Sequence, residues 1–358
     1  MTTKRILALR EKMTELSLDA TLITSFENYR YFSGFSGSNC VLIITQDKLF
    51  ALTDGRYDVQ IRLQTSGFDI TVITNPMNTH ITEILSSLPL TRIGFEAQNM
   101  TALSFEKIKG ALGDKISFVP VDSSLEEIRA VKDADEIECI RRAAKIADDA
   151  FSAMLQKLKK GTTEKQCAAL LEYEMAMHGS EKAAFSTIAA SSVRGAMPHA
   201  SAEAIEIPDN CLMTFDFGAV SGGYCSDITR TIHIGNPSDE LCRIWDIVFE
   251  VQQKCLSEVR AGISCRELDE LARELFAEHD MEKYFTHSLG HGVGLAIHEA
   301  PTLSKRSETV LSENMIVTIE PGLYIEGLGG VRIEDSVVVT RDGCEILTHS
   351  PYKININL

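Results

Sequence analysis

Residues 3–17 carry Ile6, Leu9, Met13 and Leu16 at the spacing of one helix face, which predicts an opening amphipathic helix. Short β-rich runs follow at 20–24, 40–45, 49–53, 70–73, 92–95 and 117–120. Turn residues separate them, at 34–38 and at Asp54-Gly55. The pattern predicts a small α/β domain covering 1–124.

From 125 the pattern lengthens. Residues 125–158 are dense in helix formers and stop at Gly161. The capping pair Thr163 and Gln166 opens a second helix that ends at Gly179. Further helices are expected at about 238–260 and 264–279, the latter opened by Ser264 and Glu267. Strand-like runs lie at 186–190, 212–217, 226–234, 315–319 and 331–340. Helices, strands, helices and strands in that order predict an α+β domain of two related halves over 125–358.

The relation between the halves is written in the residues. Asn210-Cys-Leu-Met-Thr-Phe-Asp216-Phe-Gly218 aligns with Asn314-Met-Ile-Val-Thr-Ile-Glu320-Pro-Gly322. Gly222-Gly223-Tyr-Cys-Ser-Asp227 aligns with Gly329-Gly330-Val-Arg-Ile-Glu334. Asp216 therefore corresponds to Glu320, and Asp227 to Glu334. Period-two alternation puts Leu212, Thr214 and Asp216 on one face, and Ile316, Thr318 and Glu320 on the equivalent one. Arg332 and Glu334 share a face of an expected return strand. An approximate two-fold would gather the four carboxylates. Four negative charges in one pocket raise their own pKa values unless cations neutralise them, and two divalent ions do so charge for charge.

Composition narrows the partners. Lysine and arginine number 35 against 51 acidic residues, a formal net charge of −16, and no basic cluster offers itself to a phosphate backbone. Nucleic acid is not an expected partner. The nine cysteines form no C-x-x-C pair and fall mostly inside expected elements, as at Cys139, Cys167, Cys211 and Cys255. That suits reduced thiols of a cytoplasmic protein. Residues 1–10 lack an apolar signal core and no run is long enough to span a bilayer, so no membrane partner is expected.

Imidazole is the other ligand type to seek. The segment 286–299 holds His287, His291 and His298, and Gly290, Gly292 and Gly294 let backbone pack closely around His291. H-E-x-x-H is absent; oxygen-rich ligation with one imidazole fits a harder ion such as Mn²⁺. His199, in Ala196-Met197-Pro198-His199-Ala200, sits in a predicted loop, and on its tripeptide alone an ordinary surface histidine is the favoured reading. His80, His178, His233, His279 and His349 are taken as surface or core residues.

Five segments carry a resemblance: Asp216-Phe-Gly218, 226–231, Gly290-His291-Gly-Val-Gly294, Ile319-Glu320-Pro-Gly322 and Arg332-Ile-Glu334-Asp335. They resemble the Xaa-Pro aminopeptidases and prolidases, which share the pita-bread fold with methionine aminopeptidase. Segments 28–38 and 53–57 look like the extra creatinase-like N-terminal domain of the proline-directed members. The resemblance implies five metal ligands, Asp216, Asp227, His291, Glu320 and Glu334, holding two divalent ions per chain. Asp227 and Glu334 would bridge, Asp216 would bind one ion, and His291 with Glu320 the other. The ion is usually Mn²⁺, with Co²⁺ or Zn²⁺ as the other candidates.

The resemblance further implies hydrolysis of the N-terminal Xaa-Pro bond of peptides by a hydroxide shared between the ions. Glu320 would be general base, His298 would stabilise the oxyanion, and His199 would assist the leaving nitrogen. His199, His287, His298 and Arg332 would meet substrate, and Tyr324 and Arg332 would brace the ligands. Glycine commonly follows the histidine matching His199; here it is Ala200. The competing readings are a prolidase restricted to dipeptides and an inactive pita-bread peptide-binding protein, against which the intact ligand set counts. Methionine aminopeptidase and metal-free creatinase are disfavoured. A homodimer is expected, with the 34–38 loop and the aromatic cluster of 29–35 as its candidate contacts.

Overall fold

Ile6, Leu9 and Met13 are buried along the first helix, α1 (Thr2–Glu15), as their spacing requires. In the computed structural model, which describes residues 2–358, the chain divides into two units, one running to Ile128 and one starting at Arg129. All six expected strands of the first unit form, with ends shifted by at most one residue. They are β1 (Ala20–Ile23), β2 (Val41–Thr45), β3 (Leu49–Asp54), β4 (Asp69–Ile73), β5 (Arg92–Phe95) and β6 (Ser117–Pro120). They make one mixed sheet in the order β4-β3-β2-β1-β5-β6, antiparallel across β1–β2–β3 and parallel elsewhere.

Four helices lie between these strands: α2 (Phe26–Ser33), α3 (Asp58–Gln64), α4 (Met77–Ser86) and α5 (Ala102–Leu112). Ile81, Leu85 and Ile108 pack on Leu22, Ile43 and Ile93 of the sheet. The aromatic cluster expected to meet a partner is instead interior. Tyr29 is 2% and Phe35 0% exposed, and the Tyr29 hydroxyl donates to the Gly37 carbonyl at 2.7 Å. Ser25 caps α2, whose helical turn rotates Tyr29 into the unit's own core, and Phe35 follows the left-handed Gly34 that ends the helix.

The helix-dense stretch after 121 is two helices, α6 (Asp122–Ala130) and α7 (Ala134–Leu155). Between them Lys132 turns inward, its Nζ 2.7 Å from Glu299, and Asp133 restarts the helix in a capping box with Glu136. Next come α8 (Glu164–Met177), β7 (Ile188–Ser191), β8 (Cys211–Phe217), β9 (Val220–Ser221), β10 (Tyr224–Cys225) and β11 (Ile228–Ile234). The second half repeats the plan with α9 (Asp239–Glu258), α10 (Cys265–Ala277), β12 (Gly290–Gly292), β13 (Glu299–Leu303), β14 (Ile316–Ile319), β15 (Gly322–Ile325), β16 (Gly329–Arg332) and β17 (Asp335–Val339). β18 (Cys344–Ile346) and β19 (Asn355–Ile356) close the chain.

Two sheets result, β19-β11-β8-β7 and β13-β12-β14-β17-β18, and each repeat inserts a small hairpin, β9–β10 or β15–β16. Met213, Phe215 and Phe217 bury against Phe151, Leu171 and Met175 of α7 and α8. Val317 and Ile319 bury against Val248, Leu268 and Phe276 of α9 and α10. Asn210 and Asn314, equivalent in the repeat, both adopt the left-handed region, at φ 59° and 67°, which asparagine tolerates better than most residues. The expected return strand 331–340 is broken. β16 stays with its hairpin partner β15, and Glu334 then crosses to the other half, its N–H donating to the Thr229 carbonyl at 3.1 Å. No helix among the described residues is long and apolar enough to cross a membrane. All nine cysteines are free thiols.

Candidate metal centre

Asp216 owes its place to its neighbours. Phe215 and Phe217 are wholly buried on the α7–α8 side, each worth roughly 1.5–3 kcal/mol of burial, so Asp216 between them faces the opposite way. The β9–β10 hairpin then brings Asp227 back beside it. A Cβ at Gly218 would stand 1.9 Å from the Ser226 carbonyl oxygen, so only glycine permits that close return. A Cβ at Gly290 would likewise lie 2.0 Å from the Thr318 carbonyl oxygen, and the backbone contact it allows sets His291 next to Glu320.

Asp227, His291 and Glu334 offer ligand atoms within 4.8 Å of one another. The His291 Nε2 is 3.3 Å from Glu320 Oε1 and 3.5 Å from Asp227 Oδ2. Its Nδ1 is 3.0 Å from the Gly292 carbonyl, an oxygen that only accepts, so the ring proton belongs on Nδ1. The Nε2 lone pair therefore points into carboxylate oxygens, an arrangement that a cation between them satisfies. Two further atoms ask for the same thing. Asp216 Oδ1 and Glu334 Oε1 are buried without a hydrogen-bond partner. A pair of divalent ions fits this donor set.

Electrostatics agree. Burial, reinforced by Glu334, Asp216 and Glu320, holds the Asp227 carboxyl well above its ordinary pKa. Burial, with Glu320 and Asp216, does the same to Glu334. Glu320 is pushed up to about 7 by burial, although Arg332 opposes the rise. Burial lowers His291 and His298 as well. These directions favour neutral imidazoles and, at Asp227, Glu334 and Glu320, the protonated carboxyl, whose proton a metal would displace.

Arg332 braces the cluster. Its Nη2 is 2.6 Å from Asp216 Oδ2, its Nε donates to the Thr229 hydroxyl at 3.1 Å, and its Nη1 donates to the Tyr324 hydroxyl at 2.9 Å. The Thr229 hydroxyl in turn donates to Glu334 Oε2 at 2.7 Å. The Tyr324 hydroxyl donates a hydrogen bond to His287 Nε2 at 2.8 Å, while His287 Nδ1 faces the Ser288 carbonyl. Burial, with Arg332 nearby, lowers His287 to about 4, so it is neutral. The His298 ring meets His291 edge-on, with centroids 4.3 Å apart.

A cavity of about 850 Å³ opens onto this cluster, wholly within the second unit. His199, Asp216, Asp227, His287, His291, His298, Glu320, Arg332 and Glu334 all line it, and Tyr324 stands behind His287 and Arg332. Ala200 has no left-handed backbone angle, so the loop after His199 does not require glycine. The sequence reading put Thr318 on the face of Glu320 but gave neither it nor Thr229 a role. The Thr318 hydroxyl accepts from the His291 N–H at 3.0 Å and donates to Glu320 Oε1 at 3.1 Å. The signal was available: Thr229 lies two positions from Asp227 and Thr318 two from Glu320, hence each on the face of a cluster acid.

The model of metallopeptidase family M24 matches residues 138–341, and that of the creatinase/prolidase N-terminal domain matches residues 5–131. The chain belongs to metallopeptidase family M24. Its second unit has the pita-bread fold and its first the N-terminal domain of the Xaa-Pro aminopeptidase and prolidase branch. It is 40% identical to the uncharacterized peptidase YqhT of Bacillus subtilis over 97% of this chain and 98% of that protein. The structure of an Xaa-Pro dipeptidase from Bacillus anthracis superposes with a TM-score of 0.95 at 39% identity, covering 100% of both chains. That of an X-Pro aminopeptidase from Thermotoga maritima gives 0.90 at 39%, covering 98% of this chain and 99% of that one. The chain is a hydrolase, and membership of M24 brings divalent metal ions with it.

Proposed function

We propose that this M24 peptidase is an Xaa-Pro aminopeptidase, hydrolysing the N-terminal Xaa-Pro bond of peptides longer than two residues. The observation that carries the reading is the reach of the cavity. From Asp216 it continues past Ile188 and Phe185 to Lys165 and Glu172 on α8. Its volume of about 850 Å³ is near the top of the roughly 300–1,000 Å³ usual for small-molecule sites. The likeness to the Thermotoga maritima aminopeptidase supports the same view. A dipeptidase is the second reading, favoured by the equal identity to the Bacillus anthracis enzyme.

Asp216, Asp227, His291, Glu320 and Glu334 would hold two divalent ions. Four carboxylates and a single imidazole suit Mn²⁺. When bound, the ions supply Lewis acidity and bring water toward ionisation near neutral pH. Glu320 takes the proton of the attacking water, as a carboxylate within reach of the cluster can. His298, neutral and beside His291, donates its N–H to the oxygen of the carbonyl under attack. His199 delivers a proton to the departing proline nitrogen. His287, fixed by Tyr324, lines the pocket beside Arg332. No step needs an N–H on the scissile bond, and a bond to proline has none.

Initial rates with Mn²⁺ on alanyl-proline and on alanyl-prolyl-alanine test the choice. A higher kcat/KM on the tripeptide is expected; turnover confined to the dipeptide would support the second reading. The free thiols support a reducing compartment, the cytoplasm. The same reading expects a homodimer, which light scattering of twice the chain mass would establish.

A further inference from the structure

His199 is the one pocket histidine held by its backbone rather than by its ring. His287 is fixed through Tyr324 and Ser288, His291 through Gly292, and His298 packs on His291. His199 is exposed within the cavity, on the segment 198–202. Its position is therefore that of its loop, and the loop is tied on both sides of the histidine. Upstream, Arg332 Nη1 donates to the Pro198 carbonyl at 3.3 Å. Downstream, Arg194 Nη2 donates to the Ser201 carbonyl at 2.5 Å, and its Nη1 to Glu203 Oε1 at 2.7 Å.

Arg194 is itself held by an acid outside the ligand set. Glu164, first residue of α8, is 0% exposed. One of its oxygens accepts from the Ser191 N–H at 2.7 Å and the Ser191 hydroxyl at 2.8 Å; the other accepts from Arg194 Nε at 3.0 Å and the Glu203 N–H at 3.2 Å. All four donors belong to residues 191–203, the stretch that leads into and out of His199. The backbone of α8's first turn continues the seam, with Glu164 N–H donating to Ile205 and Lys165 N–H to Glu203. A fully buried carboxylate with every oxygen committed to one loop costs stability unless that loop stays in place. A guanidinium can serve three acceptors at fixed angles, which an ammonium cannot.

We propose that Arg194, fixed by Glu164, is a positioning residue: it sets the height of the 198–203 loop and so aims His199 at the leaving side of the substrate. This rests on His199 acting on substrate as proposed above. Arg332 fixes one end of the loop as part of the ligand cluster; Arg194 and Glu164 fix the other end and belong neither to the ligand set nor to the cavity lining.

A double-mutant cycle on the Mn²⁺-loaded full chain tests it, reading kcat/KM on alanyl-prolyl-alanine together with metal content and melting temperature. The variants are Arg194→Ala, Arg194→Lys, His199→Ala and each Arg194 change combined with His199→Ala. Arg194→Lys keeps a cation for Glu164, so it keeps the fold testable if Arg194→Ala does not. Misplacing a group by about 1 Å can cost on the order of 10²-fold, and a loss approaching that is expected for Arg194→Lys in the wild-type background with metal content unchanged. In the His199→Ala background the same change should cost less than about twofold, because the residue it aims is gone. An equal loss in both backgrounds, or no loss in either, overturns the inference. Wild-type kcat/KM for His199→Ala alone would instead refute the role given to His199 in the proposed mechanism.

Discussion

Arg332 grips Asp216 by one carboxylate oxygen, at 2.6 Å, and leaves the other oxygen buried and without a partner. The pair thus orients an acid toward the cluster while keeping half of it available. The same guanidinium reaches Thr229, Tyr324 and Pro198, so one side chain aligns Asp216, Glu334 through Thr229, and His287 through Tyr324.

Arg332→Lys should therefore act well beyond the loss of one ion pair. A single ammonium cannot hold four acceptors in a plane. Disturbing groups that orient metal ligands typically costs about 10–100-fold in metal affinity or activity, and a loss of that size is expected here. Mn²⁺ titration and peptide hydrolysis measure it. Retention of wild-type affinity and rate would mean that Arg332 does not orient the ligands.

The pH dependence of stability follows from the raised carboxyls. Asp227, Glu334 and Glu320 all have folded pKa values above their ordinary ones, Glu320 at about 7. In metal-free protein these three carboxyls bind more protons folded than unfolded, so their contribution to stability falls as pH rises from about 4 through 7, opposed by the lowered His287, His291 and His298. Bound cations remove that penalty. The rise in melting temperature produced by saturating Mn²⁺ should accordingly be larger at pH 8 than at pH 5. A rise that is constant or shrinks with pH would count against the carboxylates as the binding groups.

Much of this was legible in the chain. The 210–227 and 314–334 repeats announced four carboxylates because strand alternation is strict, and the capping pairs Thr163–Gln166 and Ser264–Glu267 placed two helix starts correctly. What stayed hidden was long-range. Residues 331–340 read as one apolar strand, and nothing local marks Glu334 as the point where the chain crosses to Thr229. Glu164 and Asp269 look like ordinary helix acids, yet each is fully buried beside an arginine and bonded to a segment carrying or adjoining a pocket histidine. The aromatic residues of 29–35 read as candidate partner contacts because α2, which buries Tyr29, was not foreseen.

His291 and His298 sit edge to face but should fail differently. His291→Ala removes an imidazole whose Nε2 faces Glu320 and Asp227, so it should lose affinity for one ion and activity together. His298→Ala should keep both ions and lose mainly kcat, by about 10²–10³-fold, as for a missing oxyanion donor. Metal content and kcat separate the two. Unchanged kcat in His298→Ala, or full metal content in His291→Ala, would reverse the assignment.

The central claim is that the five-residue cluster holds two divalent ions and that proline-directed hydrolysis depends on them. It is tested most directly by counting Mn²⁺ per chain while following cleavage of alanyl-prolyl-alanine, first after chelation and then during stepwise return of the metal. Activity should vanish on chelation and recover as the count approaches about two, and Asp227→Asn should abolish both the binding and the recovery. Full hydrolysis by the chelated protein, or by Asp227→Asn without bound metal, would contradict the account.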